Sequence, residues 1–324
     1  MRLEVRQASR TTTVELGEAK PADGIVLIDS RVAELYPDLA RGAIIVPRGE
    51  RSKSLRQFGR LHAELVAKGA NRKSQLIAIG GGVVGDLVGF VAATYMRGIA
   101  YESVPTTLLA MVDSSVGGKV AIDLPEGKNL VGSFWPPTRV TIQPQFLSTL
   151  PPRQVRNGLA EVLKMGFIRD PFLAEPRPVT AELIFRAIKN KQEVVEADEF
   201  ETLGIRAILN FGHTIGHAIE AVLGYRGLLH GEAVAVGMAA EAKLGETLGI
   251  TEPGTAAEVG RILHQAGLPT SHLLLSDPER LIDRMRSDKK AEGNGLAFSL
   301  LNRIGECKLQ TGIRESDVVR ALRD

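Results

Sequence analysis

The segment "IAIGGGVVGDLVGF" (residues 77–90) passes from an apolar run through three glycines into a helix-like run. Glycines allow a sharp turn and a close approach of the backbone to a pyrophosphate, and the following helix N-terminus offers free N–H groups and positive potential. The spacing over Gly80–Gly85 is that of a dinucleotide-binding turn, and Glu102 lies in range for a ribose-binding acid. Because the motif lies far from the first βα unit and Asp86 would crowd a diphosphate, a purely structural turn remains the alternative.

Short apolar runs alternate with helix-like segments around this turn. Residues 31–41 and 53–68 carry apolar residues at helical spacing. Short apolar strands separated by helices of about ten to fifteen residues indicate βαβ units and a mostly parallel sheet. The candidate strands are "GIVLID" (24–29), "GAIIVP" (42–47), "QLIAIGGG" (75–82) and "AYESVPTT" (100–107).

The pattern changes after about residue 148, where helical periodicity dominates and no clear strand signal occurs before "LAFSLL" (296–301). We therefore predict an α/β nucleotide-binding domain over residues 1–147, a mainly helical domain over residues 148–324, and a ligand cleft between them. The helical segments are 151–168, 180–199, 205–224 and 231–249.

The composition argues against a nucleic-acid or membrane partner. The 324 residues include 40 basic and 38 acidic side chains without a Lys/Arg tract that contains aromatic residues, so nucleic-acid binding has little support. No apolar run approaches the roughly 18 residues of a membrane span, and the N-terminus lacks a signal-peptide core, so we expect a cytoplasmic protein. The single cysteine, Cys307, excludes an internal disulfide and is expected to be a buried or half-buried thiol.

Residues 104–137 form a polar, glycine-rich segment between apolar flanks. Lys119 and Lys128 each follow a glycine, which suits the binding of a carboxylate or phosphate through charge-assisted hydrogen bonds. A surface loop with solvated lysines is the alternative interpretation. The polar residues singled out are Thr106, Thr107, Asp113, Lys119, Lys128 and Asn129.

The histidines suggest a metal site. His213 and His217 in "LNFGHTIGHAIE" (209–220) share one helical face at i and i+4, so both could bind one metal. His230 precedes another helix, and Glu161 in an apolar helix would be a costly buried carboxylate unless it is paired or metal-bound. Hydrogen-bonded core histidines are the alternative, and the spacing does not select the ligands. The histidines expected to be structural are His62, His264 and His272.

Several long blocks of the sequence resemble the 3-dehydroquinate synthase family of the sugar phosphate cyclase group. The similarity extends from about Asp29 to "RIG" at 303–305, and the combination is far more specific than a glycine motif alone. The blocks are "GGGVVGDLVGFVAATYMRGI" (80–99), "VPTTLLAMVDSSVGGK" (104–119), "GKNLVGSFWPP" (127–137), "GLAEVLKMG" (158–166), "LNFGHTIGHAIE" (209–220) and "LHGEAVAVGM" (229–238).

This resemblance implies a fold and an activity. The fold is an N-terminal Rossmann-like α/β domain with a mostly parallel sheet that binds NAD, plus a mainly α-helical C-terminal domain that binds a divalent metal, zinc or cobalt. The implied enzyme is a homodimeric carbon–oxygen lyase of the shikimate pathway. It converts 3-deoxy-D-arabino-heptulosonate 7-phosphate to 3-dehydroquinate and phosphate, with NAD regenerated in each cycle.

The resemblance also implies residue roles. The implied metal ligands are Glu161, His213 and His230, and His217 becomes a hydrogen-bonding and proton-transfer group on the phosphate side of the substrate. The implied NAD contacts are Asp29, Glu50, Lys53, Gly81, Gly82, Asp86, Thr106, Thr107, Asp113, Lys128, Phe146, Thr149 and Leu150. The implied substrate contacts are Arg97, Asp113, Lys119, Asn129, Lys164, Lys191, Arg206, Asn210 and Lys289.

Some positions depart from the family pattern, and other functions remain open. Arg31 and Gln154 replace the usual Asn and Glu, which affects only peripheral NAD contacts. Glu201 lies one residue further from Arg206 than is common, and Lys191 lies upstream of that extra residue, so this departure bears on the roles of both. The alternatives are another sugar phosphate cyclase, a metal-dependent polyol or glycerol phosphate dehydrogenase, and a nucleotide-binding regulatory module without catalysis.

Overall fold

The computed structural model describes residues 1–20, 24–288 and 295–323, which contain eleven strands and ten α-helices. The strands are β1 (Arg2–Arg6), β2 (Thr11–Leu16), β3 (Ile25–Asp29), β4 (Ile44–Val46), β5 (Gln75–Gly80), β6 (Ala100–Pro105), β7 (Lys119–Leu124), β8 (Gly127–Phe134), β9 (Arg139–Ile142), β10 (Leu296–Arg303) and β11 (Glu306–Ile313). The α-helices are α1 (Ser30–Leu35), α2 (Leu55–Ala67), α3 (Gly82–Thr94), α4 (Pro152–Ile168), α5 (Ala181–Ala197), α6 (His213–Val222), α7 (His230–Thr247), α8 (Thr255–Gln265), α9 (Pro278–Asp288) and α10 (Glu315–Arg323).

Seven strands form one sheet in the order β1-β2-β9-β6-β5-β3-β4. Every neighbouring pair is parallel except β1 and β2, which are antiparallel. Five of the six residues of β5 are buried, as a strand covered on both faces requires. The prediction of a mostly parallel α/β sheet is confirmed.

The strand order reverses between β3 and β5. From β3 the chain moves outward to β4, returns past β3 to β5, and continues through β6 toward β9. In open parallel sheets, ligands bind in the crevice outside the carboxyl ends of the strands where the order reverses. β3 ends at Asp29 and β5 ends at Gly80, so this crevice coincides with the glycine-rich turn.

Several local predictions for this part of the chain were incomplete. The helix predicted over 31–41 is divided, because Pro37 cannot continue α1 and instead starts a 3₁₀ turn, Pro37–Ala40. The polar, glycine-rich segment over 104–137, for which no strand was predicted after residue 107, contains a π-helical turn, Ala110–Ser114, and the antiparallel β7–β8 hairpin. β1, β2 and β9 were not predicted, because polar residues such as the threonines of β2 interrupt their apolar pattern.

A second unit is mainly helical, as predicted for the C-terminal part of the chain. Its apolar core includes Ile215 and Ile219 of α6, Val236 of α7, and Phe298 of β10. β10 was predicted, whereas its antiparallel partner β11 was missed because four of its eight residues are exposed and its polar and apolar residues do not alternate regularly. None of the helices in the described ranges is long and apolar enough to cross a membrane.

The structural division of the chain differs from the predicted boundary between residues 147 and 148. The first compact unit comprises Met1–Val155 and Thr180–Phe200, and the second comprises Arg156–Val179 and Glu201–Asp324. α5 therefore belongs with the sheet rather than with the other long helices. Two contacts explain this placement: the Gln192 side-chain amide donates to the Glu4 carbonyl at 2.6 Å, and the Glu196 carboxylate accepts from the Arg6 N–H at 2.6 Å.

Candidate active site

The glycine-rich turn places the N-terminus of α3 directly after the carboxyl end of β5. A Cβ on Gly81 would lie 3.1 Å from the Thr107 side chain, and one on Gly82 would lie 3.0 Å from Ser114 Oγ. The space around Gly85 is open to 4 Å, and the N-cap of α3 is Gly81, which has no side chain to cap the helix. This helix start therefore combines a close approach of backbone segments with N–H groups suited to an anion.

Asp86 on α3 is paired with a buried lysine. Lys53 is 4% exposed, and its ammonium donates to Asp86 Oδ2 at 2.8 Å and to Asn129 Oδ1. Burial raises the pKa of Asp86, and the positive charge of Lys53 opposes that shift. Burial lowers the pKa of Lys53, but Asp86 and Glu50 outweigh it and raise the pKa. The Asp86 charge that argued against a diphosphate site is thus offset by Lys53.

The other predicted NAD contacts serve several local structural roles. Asp29 caps α1 by accepting the Arg31 N–H at 2.7 Å, while the Arg31 guanidinium pairs with Glu34 at the surface. The hydroxyls of Thr149 and Tyr36 lie 3.1 Å apart, and Tyr36 packs edge-on against buried Phe146.

The remaining residues of this set lie at strand and helix ends. Lys128 Nζ lies 3.6 Å from a Glu50 oxygen. The N–H of Thr106 donates to the Gly80 carbonyl at 2.9 Å, which joins the ends of β5 and β6. Thr107 Oγ1 accepts the Ala110 N–H at 3.2 Å, and Leu150 follows the 3₁₀ helix Pro144–Thr149.

Two predicted ligand-binding residues of the first unit contact each other. Lys191 on α5 is 6% exposed, and its ammonium donates to Asp113 Oδ1 at 2.5 Å and to the Asp113 carbonyl at 2.7 Å. Arg97, Lys119 and Asn129 are exposed. Arg97 and Asn129 adopt positive φ angles of 71° and 56°, a conformation that is uncommon for non-glycine residues, although asparagine adopts it more often than most.

Three predicted metal ligands converge in the second unit. Glu161 lies in the middle of α4 and is fully buried, whereas His213 and His230 are the first residues of α6 and α7. One donor atom from each of the three lies within 4.8 Å of the others. A carboxylate and two imidazoles form a donor set of the kind that zinc and similar divalent ions prefer.

The outer nitrogens of both histidines have partners that orient the rings. His213 Nδ1 lies 3.2 Å from the Phe211 carbonyl, and His230 Nδ1 lies 3.2 Å from Glu220 Oε2. These acceptors favour an N–H on Nδ1, so that Nε2 is the nitrogen of each ring that faces Glu161 and is available to a metal. The two Nε2 atoms lie 3.6 and 3.7 Å from Glu161 Oε1. Such partners behind a histidine are typical of metal sites.

The charges around Glu161 favour a cation. Burial opposes ionisation of Glu161, but the charges of Lys164 and His230 hold its pKa well below the usual range. Although the Lys164 ammonium forms an ion pair with Glu161, neither carboxylate oxygen accepts a hydrogen bond among the described residues. Burial and the charge of Lys164 hold the pKa of His213 well below its usual value, so its imidazole is neutral. The residues therefore fit a divalent ion.

His230 lies close to two carboxylates, those of Glu161 and Glu220. Burial lowers its pKa, but Glu161 and Glu220 outweigh burial and raise the pKa to about 10. The carboxylates that favour a proton on this imidazole favour a divalent cation in the same place.

His217 lies one helical turn after His213 and is exposed. Its ring centroid is 5.2 Å from that of His213 and 5.9 Å from that of His230. His217, Glu220 and His230 form a second group whose donor atoms converge within 4.8 Å. Geometry alone therefore leaves two overlapping donor sets that share His230.

The other predicted substrate contacts of this unit are mostly buried. Lys164 and Arg206 are 2% and 3% exposed, and Arg206 Nε lies 3.5 Å from Glu201 Oε1 despite the extra residue between them. Asn210 ends the 3₁₀ helix Arg206–Asn210 and is half-buried. The predicted contact at Lys289 lies outside the described residues.

The histidines predicted to be structural have local roles. His62 bridges the Phe58 carbonyl and the Thr94 hydroxyl, and His272 accepts a backbone N–H from Leu274. His264 lies in the last turn of α8. Cys307 is buried, and burial raises the pKa of its thiol, which confirms the expectation of a buried thiol.

Family models identify the chain. The models for the N-terminal and C-terminal parts of 3-dehydroquinate synthase match residues 43–157 and 158–291. The chain belongs to the 3-dehydroquinate synthase family. A 3-dehydroquinate synthase from Xylella fastidiosa (strain M12) is 44% identical over 327 residues, which cover 92% of this chain and 88% of the relative.

Two solved structures from related enzymes share the fold. A 2-deoxy-scyllo-inosose synthase complexed with carbaglucose-6-phosphate, NAD⁺ and Co²⁺ is 28% identical, with a TM-score of 0.85 and coverage of 100% of this chain and 99% of that chain. A 2-epi-5-epi-valiolone synthase from Streptomyces hygroscopicus subsp. jinggangensis 5008, with NAD⁺ and Zn²⁺ bound, is 25% identical. Its TM-score is 0.86, and the match covers 98% of this chain and 96% of that chain.

Sequence reasoning missed Glu220, the carboxylate that orients His230. Glu220 is 5% exposed and lies three residues after His217, on the helix whose first residue is His213. Its position in an otherwise apolar helical segment was the available signal, because a buried carboxylate needs a partner.

Proposed function

We propose that the chain converts 3-deoxy-D-arabino-heptulosonate 7-phosphate to 3-dehydroquinate and phosphate, with NAD and a divalent metal as cofactors. The observation that carries the proposal is the convergence of Glu161, His213 and His230 in a chain that is 44% identical to a 3-dehydroquinate synthase. We assign these three residues as the metal ligands and the glycine-rich start of α3 as the pyrophosphate site. Zinc and cobalt are the candidate ions, since two related cyclases bind them.

The two cofactors supply chemistry that the side chains lack. Bound NAD provides a hydride acceptor and donor, and the cation provides a Lewis acid for a substrate hydroxyl. Lys53 and Asp86 form a neutral pair beside the α3 segment, so their combined charge does not oppose a diphosphate. The Phe211 carbonyl and Glu220 lie beside Nδ1 of His213 and His230 and turn each Nε2 toward Glu161, and a bound cation would replace the proton that the carboxylates favour on His230.

The remaining assigned residues bind and orient an anionic substrate. Lys164 and Arg206 are buried cations, so each provides a strong charge-assisted contact to a phosphate or carboxylate. His217 is exposed on the face of α6 that carries His213, and we assign it to hold or move a proton at the substrate phosphate. The substrate contacts further assigned are Arg97, Asp113, Lys119, Asn129, Lys191, Asn210 and Lys289.

The main alternative is that the chain is a cyclase that acts on a different sugar phosphate. The two solved relatives act as other cyclases, but their identities of 28% and 25% are well below the 44% of the 3-dehydroquinate synthase relative.

We also propose a cytoplasmic homodimer; size-exclusion chromatography with light scattering tests the oligomeric state.

The deciding experiment measures phosphate release from the heptulosonate phosphate with catalytic NAD. We expect many turnovers per NAD and loss of activity on chelation, with recovery on adding Zn²⁺ or Co²⁺. Glucose 6-phosphate and a heptulose 7-phosphate serve as control substrates. Preferential turnover of either control, or accumulation of NADH in proportion to product, would exclude the proposed reaction.

A further inference from the structure

The two histidines of the candidate metal centre share an unusual position, because each is the first residue of its helix. The first N–H groups of an α-helix lack partners within the helix, so a buried helix start needs acceptors from elsewhere. α6 follows Gly212, whose φ of 81° suits glycine and whose missing side chain cannot cap the helix. The position of His213 therefore depends on an external cap.

Glu241 of α7 supplies that cap. Its Oε2 accepts the Gly212 N–H at 2.6 Å, and its Oε1 accepts the Ile215 N–H at 3.0 Å. The carboxylate thus holds the backbone on both sides of His213. Glu241 is fully buried, and a carboxylate in that environment is costly unless it receives strong hydrogen bonds. The negative charge also favours a helix N-terminus.

Asn157 of α4 caps the other histidine-bearing helix. Its Oδ1 accepts the Gly231 N–H at 2.6 Å, one residue after His230. A Cβ on Gly231 would lie 2.0 Å from the Asn157 carbonyl oxygen, so α4 and α7 approach as closely as glycine allows. Asn157 precedes Glu161 by four residues, and one face of α4 therefore carries both this cap and the carboxylate of the site.

We infer that Glu241 and Asn157 are positioning residues that set the geometry of the cation site through the starts of α6 and α7. This inference rests on the proposed assignment of Glu161, His213 and His230 as ligands. Each cap joins a histidine-bearing helix to another helix of the same site: α7 caps α6, and α4 caps α7. Metal affinity requires ligand atoms held to about 0.5 Å, which a frayed first turn does not provide.

The chain offers a matched control on the same helix. Glu246, also on α7, accepts the Ala256 N–H at 2.9 Å near the start of α8, which likewise follows a glycine with positive φ, Gly254. No proposed ligand lies on α8. Loss of the Glu246 cap should lower stability without changing the cation site, whereas loss of the Glu241 cap should change both.

The test compares Glu241→Gln, Glu241→Ala, Asn157→Ala and Glu246→Ala in the full chain. Zn²⁺ and Co²⁺ affinities are measured by competition with a chromophoric chelator, and the visible spectrum of bound Co²⁺ reports ligand geometry. Glu241→Ala and Asn157→Ala should weaken binding about 10- to 100-fold, as is typical for residues that orient metal ligands. Glu241→Gln keeps one acceptor and should fall between Glu241→Ala and the unmodified chain.

Glu246→Ala should bind both ions as the unmodified chain does and give the same Co²⁺ spectrum. If Glu241→Ala does not fold, Glu241→Gln and Asn157→Ala decide the question. Unchanged affinities in those variants, or equal losses in Glu246→Ala, overturn the positioning role. His213→Ala separates this failure from that of the proposed function, because undiminished binding by His213→Ala refutes the ligand assignment itself.

Discussion

Replacing His213 or His217 by alanine separates the two overlapping donor groups. His213 Nε2 faces Glu161 Oε1 at 3.6 Å, and its other nitrogen is held by the Phe211 carbonyl. His217 belongs only to the second group, with Glu220 and His230. If the ion binds at Glu161, His213→Ala removes one of three protein ligands, whereas His217→Ala removes none.

The size of the effect follows from the number of ligands. Four-ligand zinc sites contribute about 10–16 kcal/mol of binding free energy, or roughly 2.5–4 kcal/mol per ligand. Since 1.4 kcal/mol corresponds to a factor of ten, His213→Ala should weaken metal binding by roughly 10²- to 10³-fold. His217→Ala should change the metal Kd by less than about threefold but lower kcat by about 10²–10⁴, the usual contribution of a general acid or base.

The assay is competition for Zn²⁺ at fixed pH, followed by phosphate-release kinetics on the metal-saturated variants. The reverse pattern, with the ion lost in His217→Ala and kept in His213→Ala, would place the cation among His217, Glu220 and His230. Glu161→Gln and Glu220→Gln provide an independent comparison, since only the first removes a proposed ligand. Equal metal affinity in His213→Ala and the unmodified chain would refute the assignment.

Three further predictions concern packing, reactivity and charge. Gly237→Ala puts a Cβ 1.9 Å from the carbonyl oxygen of Gly212, just before α6, and should cost about 1–3 kcal/mol of unfolding free energy. Gly260→Ala, in open space on α8, should instead be stabilising by about 0.5–1 kcal/mol, and thermal unfolding compares the two variants. Cys307 should resist alkylation at neutral pH until the chain is denatured, because burial raises the pKa of its thiol; quantification of labelled protein by mass spectrometry checks this. Lys53→Met should cost about 2–3 kcal/mol at pH 7, somewhat less than the loss of a fully buried ion pair because the Asp86 side chain is 19% exposed. Burial raises the folded-state pKa of Asp86, so its protonation stabilises the variant and the deficit should shrink as pH falls; urea unfolding at pH 7 and pH 5 measures it.

The fold was predictable where burial leaves a simple pattern in the sequence. β5 is an apolar run buried on both faces, and the glycines after it mark the turn into α3. β2 and β11 mix polar with apolar residues, because each keeps part of its surface exposed, and the pairing of β2 with β9 joins segments distant in the chain. Local patterning does not contain that information.

The candidate site was likewise only partly predictable from the sequence. The spacing of His213 and His217 fits two ligands on one helix, and sequence alone does not select between His217 and Glu161. The choice depends on how α4, α6 and α7 pack, and only the family resemblance supplied it in advance. Glu241, like Glu220, is an acidic residue in an apolar helical segment, but the sequence does not show that its partners are backbone N–H groups at the start of α6.

The ion pair between Lys164 and Glu161 bears on how such a protein acquires its ion. Burying the Glu161 carboxylate during folding requires a positive charge beside it. The ammonium of Lys164 provides that charge before any metal is bound. The chain can therefore fold first and bind the metal ion afterwards. The metal-free chain should therefore give a cooperative thermal unfolding transition of its own, which the added ion shifts to higher temperature.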